Sequence, residues 1–122
     1  MAHILVVDDE DSIRSLIREV LSSQNHTFDE AGTGAEALEK VRAGKYDLVI
    51  LDRNMPTMSG IQALSILRAN PQYKNLKILM CTSASVTKEV DEAFQAGAND
   101  YILKPLNLQM LIKKVQRALG LV

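Results

Sequence analysis

Four short apolar runs punctuate the chain: Ile4-Leu5-Val6-Val7, Leu48-Val49-Ile50-Leu51, Ile78-Leu79-Met80-Cys81 and Tyr101-Ile102-Leu103. Each is continuous and bounded by polar residues, the pattern of strands buried on both faces. A weaker strand, Thr27–Ala31, falls between the first two. The intervening segments carry helical spacing instead. Ile13, Leu16, Ile17, Val20 and Leu21 form one apolar stripe. Ala37, Leu38 and Val41 form a second, closed by Gly44 as a C-terminal cap. Ile61, Leu64 and Leu67 form a third, which stops before Asn70-Pro71. Val86, Val90, Ala93 and Phe94 form a fourth that ends near Gly97, and Leu108, Leu111, Ile112, Val115 and Leu119 form the last.

Strand and helix therefore alternate five times. That order predicts an α/β fold: a single doubly wound five-stranded parallel sheet flanked by five helices. Right-handed crossovers restrict the topology further, and five such units suit strand order 2-1-3-4-5, the flavodoxin-like arrangement, with strands one and three adjacent at the switch point.

Composition bounds the reading. A chain of 122 residues is one domain, 1–122, with enough length to bury a core without disulfide or metal staples. A net charge of −1 argues against a dedicated nucleic-acid binder. No stretch approaches the ~18 apolar residues of a membrane span, and the run at Met1–Val7 is too short for a signal peptide. Cys81 stands alone, so no intrachain disulfide is expected and a reducing, cytoplasmic setting fits. The last helical pattern runs almost to Val122, so the sequence is expected to carry no output domain. The near-neutral balance hides a split. Residues 1–61 hold 11 acids and 6 bases, residues 62–122 hold 4 acids and 8 bases, and four of the acids are consecutive at Asp8, Asp9, Glu10 and Asp11.

In a parallel sheet all strand C-termini share one edge, where ligands bind. Asp8 and Asp9 follow the first strand, Asp52 the third, Thr82 and Ser83 the fourth, and Lys104 and Pro105 the fifth. Two like unit charges ~4 Å apart at an effective dielectric of ~20 repel by about 4 kcal/mol. A hard divalent cation relieves that repulsion, and oxygen donors with no neighbouring His or Cys suit Mg²⁺ or Mn²⁺. Lys104 can balance a carboxylate at rest and a phosphoryl oxygen later. Each residue also has a plain structural role: acids ahead of a helix cap it, as Asp11 is expected to do, Asp52 starts a turn, Thr82 caps a helix and Lys104 is solvated. Four such residues meeting on one edge favour a site.

These residues resemble a response-regulator receiver domain of the stand-alone chemotaxis-regulator type. The resemblance rests on Val6-Val7-Asp8-Asp9-Glu10, Leu51-Asp52-Arg53-Asn54-Met55-Pro56 with Ser59-Gly60, Met80-Cys81-Thr82-Ser83-Ala84, Ala96-Gly97-Ala98 and Asp100-Tyr101-Ile102-Leu103-Lys104-Pro105-Leu106, in order along the whole chain. It implies that Asp52 is the phosphoacceptor for the phosphohistidine of a sensor histidine kinase or phosphotransfer protein. It implies that Asp9, Asp52 and the backbone carbonyl of Asn54 bind Mg²⁺, with Asp8 acting through water. Lys104 would pair with a phosphoryl oxygen, Thr82 would donate its hydroxyl in the active state, and Tyr101 would turn inward as Thr82 moves. The Lys104-Pro105 bond would be cis, an isomer that only proline makes cheap. Leu106 stands where Phe is common in the family, and Asn54 and Ala84 occupy positions that tune the lifetime of the acyl phosphate.

The implied protein is a switch and not an enzyme, apart from slow autodephosphorylation. It would shift its fourth helix, fifth strand and fifth helix to bind an output partner, as a monomer at rest with dimerisation on phosphorylation left open. Lys113, Lys114 and Arg117 on the last helix read as a docking face or as solvated cations near a helix C-terminus. Met55 and Met58 shape the loop, Cys81 is a small core hydrophobe, and His3 and His26 fall at the far edge. A dehalogenase-type phosphatase needs a second Asp where Asn54 stands. A flavin or nucleotide site needs a Gly-rich phosphate loop that is missing. A phosphorylation-independent adaptor, and a receiver cut from a larger regulator or hybrid kinase, remain as alternatives.

Overall fold

The structure, a computed structural model, describes residues 2–83 and 87–121; Ala84 and Val86, named above, lie outside the described residues. The elements are β1 His3–Val7, α1 Asp11–Ser23, β2 Thr27–Ala31, α2 Gly34–Ala43, β3 Leu48–Asp52, α3 Gly60–Ala69, β4 Lys77–Thr82, α4 Thr87–Ala96, β5 Asp100–Leu103 and α5 Leu108–Ala118, with one 3-10 turn at Pro71–Tyr73. The strands form a single parallel sheet in the order β2-β1-β3-β4-β5, as the alternation predicts.

Side chains alternate across each strand, so the sheet builds two cores. Leu5, Val7, Val49, Leu51, Ile78 and Met80 pack against α2, α3 and α4. Ile4, Val6, Leu48, Ile50, Leu79 and Cys81 pack against α1 and α5. The apolar runs of β1, β3 and β4 are buried throughout, which explains why they are unbroken. The last run, in β5, departs from that expectation, because Leu103 is 43% exposed. β5 is an edge strand, paired with β4 alone, so it has no neighbour to cover its free side.

Helix ends follow the local chemistry. Thr33 accepts a hydrogen bond from the Glu36 N–H, Asn107 accepts one from the Met110 N–H, and Ser59 with Gln62 completes a capping box at α3. Gly44 does cap α2, in an extended conformation and not a left-handed one. Gly97 ends α4 at φ 110, a conformation that favours glycine. Asp11 does not cap α1. Glu10 occupies the N-cap with no side-chain bond, and Asp11, one residue inside, accepts from Arg14 Nη2 at 3.0 Å.

His3 and His26 lie at the N-terminal edge of the sheet, away from the acidic edge. His26 is buried, and its Nδ1 accepts the Ala2 N–H at 3.1 Å. Burial, helped by the positive N-terminus, lowers its pKa below 6.5. The unfolded chain therefore takes the proton first as pH falls, so stability is complete above that window and declines through it. Urea unfolding between about pH 7 and pH 5 is expected to show this loss, and His26→Gln is expected to flatten it.

Candidate functional site at the C-terminal edge of the sheet

Parallel pairing aligns the ends of β1, β3, β4 and β5, and the residues just beyond them converge. Asp8 leaves β1 with its N–H bonded to the Ala31 carbonyl at 3.1 Å, which turns the chain towards α1. Asp52 is the last residue of β3, opposite Cys81 in the register. Thr82 is the last residue of β4 and Leu103 its partner on β5, so Lys104 emerges beside both, its N–H bonded to the Thr82 carbonyl at 2.8 Å. The Lys104-Pro105 peptide is cis.

Asp8, Asp52 and Thr82 are buried polar side chains at this edge of a largely apolar interior. Lys104 joins two of them. Its Nζ donates to Asp8 Oδ2 at 2.9 Å and to Asp52 Oδ1 at 3.1 Å. Burial favours the neutral amine, yet the two carboxylates outweigh it and raise the Lys104 pKa. Burial also dominates at Asp52 and raises its pKa; Lys104 opposes that shift and the charge of Asp8 adds to it. The reference value of a free carboxyl thus overstates how readily Asp52 ionises in the absence of a further cation.

Asp9 and Glu10 project outward, and one carboxylate oxygen each from Asp8, Asp9 and Glu10 lie within 4.8 Å of one another. The expected ligand set was Asp8, Asp9, Asp52 and the Asn54 carbonyl. Glu10 joins Asp8 and Asp9 in this close trio, and its only sequence signal is its place in the acidic run. Asp52 stands beside the trio, joined through Lys104. Asn54 is exposed and directs its N–H towards Asp52 Oδ1 at 3.5 Å. An all-oxygen donor set with a buried carboxylate on each side fits a hard divalent cation.

Three arrangements could not be read from the sequence. Arg53 crosses to α4, where Nη2 donates to Glu92 Oε2 at 2.7 Å and Nη1 to the Glu89 carbonyl at 3.3 Å. That bond holds the Glu92 carboxyl below its ordinary range. Tyr101 is half-buried between α4 and α5, edge-on to Phe94 and under Lys114, whose Nζ is 4.5 Å from the ring and 2.8 Å from Asp100 Oδ1. Lys114 is therefore not simply a solvated cation. Gly60 opens α3 so close to the turn after β3 that a Cβ would meet the Asp52 carbonyl at 2.2 Å. Gly60→Ala is expected to cost about 3 kcal/mol by overpacking, read as a shift in the urea midpoint. Leu106 packs against the α1–α5 core, and Cys81 is buried, which pushes its thiol up to about 12.

A cavity of about 710 Å³ lies at the opposite edge beside His26, Tyr46 and Tyr73. Two of its polar side chains are already paired: Asp47 accepts the His3 N–H, and His26 the Ala2 N–H. Chemistry rather than size therefore places the candidate site.

A doubly wound α/β domain with an acidic, lysine-bridged pocket at its switch point defines a small class of proteins. The chain belongs to the response regulator receiver domain family, whose model matches residues 4–116. It is 37% identical over 115 residues to the chemotaxis protein CheY of Pseudomonas aeruginosa, covering 93% of each chain. It is 38% identical to CheY-3 of Vibrio cholerae, over 93% of this chain and 88% of that one. The solved structure of Vibrio cholerae CheY4 superposes with a TM-score of 0.91 at 36% identity, covering 97% of this chain and 98% of that one. No helix among the described residues is long and apolar enough to cross a membrane.

Proposed function

We propose that this domain is a phosphorylation switch of two-component signalling. The observation that carries the reading is Lys104 Nζ bridging the buried carboxylates of Asp8 and Asp52. An Asp52 oxygen attacks the phosphorus of a phosphohistidine on a sensor kinase or phosphotransfer protein. The P–N bond breaks, its electron pair returns to the imidazole, and an acyl phosphate forms on Asp52. Mg²⁺, held by Asp8, Asp9 and Asp52 with the Asn54 carbonyl and with Glu10 nearby, would supply charge neutralisation for the approaching anions.

The chain's own groups do the rest. Asp52 is the nucleophile, and Lys104 moves from a carboxylate pair to a phosphoryl oxygen. Thr82, at the end of β4, donates its hydroxyl to the phosphoryl group. The added charge of about −1.5 to −2 biases Tyr101 and the α4–β5–α5 face towards a partner-binding state. Arg53 ties the residue after the phosphoacceptor to α4, which gives the bias a direct mechanical route. The likeness to the chemotaxis protein of Pseudomonas aeruginosa supports a cytoplasmic setting.

The test is mass spectrometry with a small acyl-phosphate donor. One phosphoryl group is expected to add only when Mg²⁺ is present. No gain, or a gain that survives Asp52→Asn, overturns the reading. A pull-down comparing beryllofluoride-treated and untreated protein then identifies the output partner.

A further inference from the structure

The acidic pocket depends on where the peptide between Asp8 and Asp9 sits, because a planar peptide moves as a unit. Displacing it shifts the Cα atoms that carry both carboxylates. The turn that contains it is held at three points. The Asp8 N–H bonds to β2, and the Glu10 N–H bonds back to Asp8 Oδ1 at 2.9 Å. The third restraint is Arg14, whose side chain is only 18% exposed. Its Nη1 donates to the Asp8 carbonyl oxygen at 2.5 Å, its Nε to Glu30 Oε1 at 3.2 Å, and its Nη2 to Asp11 Oδ1. Glu30 is itself braced by Arg18 at 2.9 Å. One rigid guanidinium fork thus ties the β1–α1 turn to the edge strand β2 and to the first turn of α1.

We propose that Arg14 is a positioning residue for the divalent-cation pocket, acting through the Asp8 carbonyl. This rests on the reading of the pocket as a Mg²⁺ site. The proposal has a distinctive sign. A guanidinium near an anionic pocket repels a divalent cation, so charge removal alone would tighten Mg²⁺ binding. Loss of positioning would weaken it. Groups that orient metal ligands from behind commonly control affinity by about 10-fold to 100-fold.

The experiment is calorimetric titration of the full chain with MgCl₂, with MnCl₂ followed by electron paramagnetic resonance in parallel. Arg14→Met is expected to raise the Mg²⁺ Kd about 10-fold. Arg14→Lys keeps the charge but loses the fork, and is expected to raise it too. Arg18→Met removes an equal charge from Glu30 without touching Asp8, and is expected to leave Kd unchanged or slightly lower. Circular dichroism and thermal melts monitor folding, and if Arg14→Met fails to fold, Arg14→Lys decides. Arg14 variants that fold and bind Mg²⁺ as tightly as the parent overturn the proposal while the pocket reading stands. A parent chain that binds no Mg²⁺ removes the pocket reading and the proposal together.

Discussion

Asp52→Asn is expected to abolish phosphoryl uptake and, in metal-free buffer, to make the domain more stable. The loss follows from removing the proposed nucleophile. The gain follows from the environment of the carboxyl, only 3% exposed and facing Asp8 across a single lysine. Burial, reinforced by the Asp8 charge, raises its pKa in the folded state. The native protein then holds a proton over a window in which the unfolded chain has lost it, so stability falls as pH rises through that window and stays reduced above it. Asn has nothing to ionise, and its Oδ1 can still accept from Lys104. The expected gain is of order 1 kcal/mol at neutral pH, roughly 4 °C in the melting midpoint of a domain of this size. Thermal unfolding in chelator at several pH values checks it. The difference should shrink on acidification and on adding Mg²⁺, which stabilises the parent by mass action. A variant less stable at every pH would contradict the electrostatic account.

The second large effect has the opposite sign. Lys104→Met is expected to cost about 2 kcal/mol in metal-free buffer at neutral pH. It removes two charge-assisted hydrogen bonds and leaves Asp8 and Asp52 facing each other across an apolar side chain. The loss is capped because one carboxyl can take up a proton instead of staying charged. It should therefore diminish as pH falls. Mg²⁺ should restore much of it, and the variant should bind Mg²⁺ more tightly than the parent, since a competing cation is gone. Lys104 and Arg14 thus make a contrasting pair. Lys104 touches the carboxylates, so its removal favours the metal. Arg14 touches the peptide behind them, so its removal disfavours the metal. Urea unfolding with and without Mg²⁺, beside calorimetric titration, separates the two.

Much of the site is legible in one dimension because the sheet is parallel. Once the apolar runs are recognised as strands, the residues after them must share an edge, and Asp8, Asp52, Thr82 and Lys104 follow without coordinates. Residues whose role depends on angle were harder to read. Asp11 has the right chemistry for a cap, but it sits one residue inside α1 and turns to Arg14. Leu103 belongs to an apolar run but lies on an edge strand, where one side of the sheet is uncovered. Glu10 joins the carboxylate trio only because the β1–α1 turn bends it back towards Asp8.

The period of apolar positions by itself determined the number, kind and order of the elements. Chirality of the crossovers then restricted the sheet order to a few choices, among which 2-1-3-4-5 suits five strand-helix units. Only the tertiary structure decided which polar groups meet. Lys104 and Asp8 lie 96 residues apart, and Arg53 reaches Glu92 across 39. A hydrogen bond forms or fails within a few tenths of an ångström, whereas a hydrophobic stripe tolerates much larger displacement. Patterning is therefore readable along the chain, and the pairing of charges at the pocket is set by how the strand ends and their turns pack together.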